Sequence, residues 1–162
     1  MIRIRLLAAV ALVTAALVVP LAAQAQTDIG VHGWGVRGGL TVDPDQGHVG
    51  AHLNAGNFAP KVRFQPSVEV GFGSDRVVTE INVDAFYRFD QQGWTPYLGG
   101  GLGVAIISHD RGRNDGDDDV NVEAGVNLVG GFEFGNADKY LLEARVGIGD
   151  IPDFKLTIGI NF

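Results

Sequence analysis

Phe154-Lys155-Leu156-Thr157-Ile158-Gly159-Ile160-Asn161-Phe162 decides how this chain is read. Apolar side chains fall on every second residue, and small or polar ones fill the gaps. A β-strand turns successive side chains to opposite faces, so the segment has one greasy face and one polar face. Strict two-residue alternation is the period of a strand and not that of a helix.

Working back from this stretch, the same alternation recurs in segments 34–42, 49–55, 62–72, 77–89, 94–106, 120–134 and 140–148. The greasy set begins Trp34, Val36, Gly38, Leu40, Val42 and continues through sets such as Val120, Val122, Ala124, Val126, Leu128. With 154–162 that makes eight strands, an even number. A tilted membrane strand needs roughly 9–11 residues, and the segments are of that order.

No charged residue occupies the greasy set of any segment. The alternate positions carry Arg37, Arg63, Glu69, Glu80, Asp84, Arg88, Glu123, Glu133, Glu143, Arg145 and Lys155, together with His48 and His52. A charge facing lipid costs about 2–4 kcal/mol at the membrane midplane. A soluble barrel would reverse the faces, with an apolar interior and a charged exterior. Among the eleven charged positions named, six acids nearly match five bases, as ionised groups sharing a narrow interior must. The pattern predicts an all-β fold: an eight-stranded antiparallel transmembrane up-and-down β-barrel over residues 26–162, with the charges in its lumen.

The first 25 residues have the form of a cleaved secretory signal peptide: Arg3 and Arg5, an apolar run, then Ala23-Gln24-Ala25. Without Arg3 and Arg5 the twelve Lys and Arg fall to ten, against nineteen Asp and Glu, a formal −9. That acidity argues against nucleic acid as a partner. There is no Cys, hence no disulfide, thiolate metal site or lipidated Cys. Glycine is abundant, 24 of 162 residues, but lies inside alternating segments and suits close packing in a barrel wall.

Gly, Pro, Asn and Asp mark the reversals. If the first strand starts at the periplasm, turns on that side fall at 56–61, 90–93 and 135–138, and outer turns at 43–47, 73–76, 108–119 and 149–153. Trp34, Phe64, Phe89, Trp94, Phe134, Tyr140 and Phe162 then share one rim as a periplasmic aromatic girdle. Phe72 and Phe154 mark the other. Pro66 and Pro96 each remove a ladder donor and belong near strand starts.

At Pro96-Tyr97-Leu98-Gly99-Gly100-Gly101-Leu102-Gly103, with Gln65-Pro66-Ser67-Val68-Glu69-Val70-Gly71-Phe72 and the terminal Phe162, the chain resembles the small outer-membrane β-barrels that include outer membrane proteins A and X. The resemblance spans the mature chain and implies the bacterial outer membrane as location, outer-membrane lipids and lipopolysaccharide as surroundings, and a monomer. It also implies that Phe162 is read by the barrel-assembly machinery. Three of the four outer loops are very short, which does not favour loop-based adhesion.

The interior of eight strands is just filled by side chains, so the lumen charges read as a plug of salt bridges. Gly99, Gly101, Gly103 and Ala105 make room for them. A gated ion or proton path is the functional alternative. His48 and His52 read as lumen hydrogen-bonding groups, with a two-residue chelate as the sharper alternative. The acidic loop offers Asp115, Asp117, Asp118 and Asp119 as a candidate Ca²⁺ site, although the EF-hand spacing is incomplete and a solvated loop is the plainer reading. Ser108, His109 and Asp110 have the residue types of a hydrolase triad, but neighbours on a strand point apart. The sequence therefore reads as a non-enzymatic, cofactor-free envelope barrel. A narrow pore or small-solute binding barrel and a lipid A-modifying enzyme are the rivals.

Overall fold

The computed structural model describes residues 27–73, 76–109 and 120–162. Eight strands run β1 (Asp28–Val42), β2 (Gln46–Ala59), β3 (Val62–Gly73), β4 (Arg76–Arg88), β5 (Trp94–His109), β6 (Val120–Phe134), β7 (Tyr140–Gly149) and β8 (Phe154–Asn161). Each pairs antiparallel with the next, and β8 returns to β1 to close the barrel. The seam ends in a reciprocal pair, with the Trp34 amide donating to the Phe162 carbonyl at 3.2 Å and the Phe162 amide donating back at 2.7 Å. Closure leaves the wall without a free edge, the form a sheet must take in hydrocarbon.

The alternating pattern separates the two faces. Leu40, Leu102, Val122 and Ile158 are each more than 60% exposed on the outside, whereas Glu69, Asp84 and Glu143 are 1% exposed within. The outside is apolar and the inside polar, as a lipid-facing wall requires.

The column of small residues on β5 explains how the interior fits. Phe86, Asp84, Asn82 and Glu80 of β4 pair with Gly99, Gly101, Gly103 and Ala105. A Cβ on Gly101 would meet the Val83 carbonyl and the Asp84 carboxylate, and one on Gly99 the backbone of Ala85 and Phe86. Large inward side chains of β4 lie across the bare backbone of β5.

Several boundaries differ from those the alternation predicts. β1 begins at Asp28, six residues before Trp34, and carries two more residues than β2 between the pairs Ile29–Gly56 and Gly33–Asn54. β2 continues to Ala59 through a second irregularity in its pairing with β3, so the turn at 56–61 contracts to residues 60–61. Gly56 sits there at φ 87°, a conformation that favours glycine and lets the strand kink and resume. Bulges break the two-residue period, which hides such extensions from pattern reading. β5 runs to His109, and the turn after β1 shortens to residues 43–45.

Both prolines lie inside strands. Pro66 falls where β2–β3 pairing is interrupted, between Ser67–His52 and Arg63–Asn57. Pro96 lies one residue beyond the last β4–β5 pair, Arg88–Tyr97. Each therefore sits where the missing N–H costs least.

Candidate functional site: the occluded lumen

Inward side chains from five strands form one ionic chain across the middle of the barrel. Lys155 of β8 bridges Glu80 of β4 (2.5 Å) and Glu69 of β3 (2.7 Å). Arg37 of β1 joins Glu69 to Glu143 of β7, with its Nη1 3.2 Å from each carboxylate. Arg145 of β7 continues from Glu143 (3.3 Å) to Asp84 (2.7 Å), and the Tyr97 hydroxyl donates to Glu143 at 2.9 Å. All seven charged members are at most 4% exposed.

Ionised groups this deep are tolerable only when each has opposite charges and hydrogen bonds at hand. Here most members have two or more such partners. Removing one strands the others.

A second group lies at the aromatic rim. Glu133 accepts from Arg63 Nη1 (2.6 Å) and Arg88 Nη2 (2.8 Å), and Arg88 also reaches Asp138 at 2.6 Å. Thr95 and Asn161 tie Asp138 and Glu133 to the wall. Asp138 belongs to the turn after β6, where residues Asn136–Asp138 form a short 3-10 turn folded over the barrel mouth. Strand periodicity carries no signal for a turn residue, so this member escaped sequence reading. Glu123 is half-buried near the other end and makes no ion pair with the described residues, so it stands apart from the network in which the sequence placed it.

The histidines act separately. His48 lies between the Thr41 and Thr157 hydroxyls at 2.9 and 3.0 Å, and His52 faces Asn161 Oδ1 at 2.9 Å. Their different partners favour wall hydrogen bonding over a shared ligand.

Apolar layers complete the closure. Val78, Ala105 and Ile107 pack against Ile151, which dips inward from the turn after β7. Phe86, Tyr97 and Val129 form a second cluster, with the two rings stacked at 4.5 Å. Between the central ions and the end opposite the aromatic rim remains a pocket of about 10 Å³, room for one water at most. At the aromatic rim a cavity of about 460 Å³ opens outward, and no member of the central ionic chain lines it.

The exterior of that rim is nearly continuous in rings. Trp34 stacks on Phe162 at 4.7 Å, Phe58 meets Phe64 at 4.7 Å, and Tyr87 meets Phe89 at 4.9 Å. Trp94, Phe132, Phe134 and Tyr140 follow in sequence at 5.6–5.8 Å. Phe58 joins because β2 is longer than its alternation shows.

Two solved barrels share this architecture. The N-terminal β-barrel domain of Pseudomonas aeruginosa OprF superposes with a TM-score of 0.60 at 17% identity, over 82% of this chain and 99% of that one. Neisserial surface protein A gives 0.53 at 17% identity, over 80% and 93%. The fold is that of the small outer-membrane β-barrels. No protein-family model matches the sequence, and no curated protein is similar to it.

The other candidates of this outer-membrane barrel fold fall largely outside the described residues. Asp115, Asp117, Asp118 and Asp119 lie outside the described residues, as do Asp110 and the signal segment 1–25. Ser108 is exposed at the end of β5. Among the described residues no group of three or more His, Asp or Glu is placed to hold a metal ion. At the rim turns Lys61 meets Asp90 at 3.0 Å, and that hydrogen-bonded carboxylate holds the exposed ammonium above its ordinary pKa.

Proposed function

We propose that this protein is a monomeric structural barrel of the bacterial outer membrane, exported by residues 1–25 and acting by occupying and bracing the bilayer. The observation that carries this reading is the occluded lumen. Among the described residues two apolar layers and a buried ionic chain lie across the lumen, and the apolar exterior with its ring-lined rim supplies the membrane contact. At the opposite end Asp43, Asp45, Asp150 and Asp153 are exposed in short turns. Divalent cations would bridge such carboxylates to lipopolysaccharide phosphates. Phe162, stacked on Trp34 at the seam, is the residue the assembly machinery would read.

Planar-bilayer recording tests the closed lumen: the refolded barrel should give no stable conductance steps. Regular steps would favour a narrow pore. Deletion in the native host should raise sensitivity to detergents. Lipopolysaccharide should bind in Mg²⁺ and release in chelator. Loss of both effects would leave the bracing role without support.

A further inference from the structure

We infer that the free edge of β6, at the end opposite the aromatic rim, is a docking site for an extended cationic peptide that alternates basic and apolar residues and joins the wall as a further strand. Two registers define the edge. β6 pairs with β5 without interruption from Phe134–Trp94 to Val120–Ser108. Its pairing with β7 ends at Gly125–Gly149, where β7 gives way to the turn leading into β8. Residues 120–124 therefore have β5 on one side and, among the described residues, no strand on the other.

Such an edge presents N–H and C=O groups that hydrocarbon cannot satisfy, so it stands in water or among headgroups. Proteins commonly blunt an edge with a bulge, a proline or a lysine. β1 outruns β8 at the other end, and there the irregularity between Ile29 and Gly33 breaks its extension. Val120-Asn121-Val122-Glu123-Ala124 holds no Pro or Lys, and its register with β5 is unbroken. The β6 edge is left fit to accept a strand.

The side chains decide which strand. Val122 pairs with Ile106 on the outer face and is 67% exposed, and Ala124 on the same face is exposed too. Asn121 and Glu123 pair with the buried Ile107 and Ala105, which sets them on the inner face. Glu123 is half-buried and makes no ion pair with the described residues. Asp150 and Asp153, exposed in the turn after Gly149, stand at the foot of the edge. A strand laid here sets one row of side chains beside Val122 and Ala124 and the other beside Glu123, so apolar residues alternating with Lys or Arg match it. A second copy of this chain would bring the same carboxylates against these and is repelled. This goes beyond the structural role and does not depend on it.

The test uses the mature barrel in nanodiscs of phosphatidylcholine, with folding checked by heat-modifiable migration on gels. The peptide Lys-Val-Lys-Val-Lys-Val-Lys is titrated while the backbone amides of Asn121, Val122 and Glu123 are followed by NMR. Saturable shifts and slowed hydrogen exchange at those amides are expected. Binding should weaken about tenfold or more for a peptide with the same residues in blocks, which keeps the charge and loses the alternation, and for one with Pro at the central Val, which lacks a ladder donor. Glu123→Lys should lose the basic peptide and take up its Glu-Val counterpart, in a barrel that still migrates as folded. Should Glu123→Lys not fold, the peptide series decides by itself. No saturable shift at millimolar peptide overturns the inference. So do equal responses to the three basic peptides, meaning charge attraction alone, unchanged binding in Glu123→Lys, or shifts confined to residues 28–33.

Discussion

Arg37 on β1 and Glu143 on β7 meet inside the lumen over β8, with Nη1 3.2 Å from Oε1 and Nη2 3.4 Å from Oε2. They are 106 positions apart in the chain and both fully enclosed. Their contact also joins the Lys155 half of the ionic chain to the Arg145 half. This pair therefore couples the two strands that flank β8, and through Arg37 to Glu69 it reaches β3 as well.

Glu143→Ala should destabilise the folded barrel by about 3–5 kcal/mol, because Arg37 and Arg145 lose a shared carboxylate in a place water reaches poorly. Replacing Arg37 and Glu143 together by Met should cost clearly less than the sum of the single changes. Urea unfolding in lipid vesicles measures both, and strict additivity would show that the pair is not coupled.

Ile151→Ala removes the loop side chain that packs on Val78, Ala105 and Ile107, and should cost about 2–5 kcal/mol. The ionic chain below remains, so planar bilayers should still show no stable steps. Conductance in this variant would mean that the loop, and not the ions, closes the lumen.

Leu102→Arg places a charge on the lipid face of β5, opposite Val83 and Val126 of its neighbours. The expected loss is about 2–4 kcal/mol in lipid vesicles. A change near zero would move this position out of the hydrocarbon.

Gly101→Val drives a branched side chain into the Val83 carbonyl and the Asp84 carboxylate. Overpacking of this kind typically costs about 1–3 kcal/mol, and here it also disturbs the Asp84–Arg145 pair. The folded fraction after refolding, read as fast-migrating unboiled protein, should fall. Full refolding would show that the β5 glycines are not needed for room.

Phe162→Ala removes the ring stacked on Trp34 but leaves the backbone pair between the two residues. If the terminal ring serves assembly, its loss should lower the amount of barrel in outer-membrane fractions more than it lowers stability in vesicles. Parallel losses would assign Phe162 to packing alone.

Much of this molecule is legible in one dimension because a β-wall repeats every two residues. Which side chains face lipid, which charges share the lumen, and how many strands close the barrel all follow from alternation along single segments. Partner choice does not. That Glu143 serves Arg37, Arg145 and Tyr97 at once, or that Lys155 spans Glu69 and Glu80, depends on the stagger with which eight tilted strands close. Bulges in β1 and β2 shift that stagger without any repeating mark.

The sequence by itself determined the fold class and the sidedness of the wall, since the cost of charge in hydrocarbon writes itself residue by residue. Only the tertiary structure decided the ionic partners, the inward fold of Ile151 and Asp138 from their turns, and the cavity at the rim. Those depend on distances across the lumen between residues far apart in the chain, and no local period encodes them.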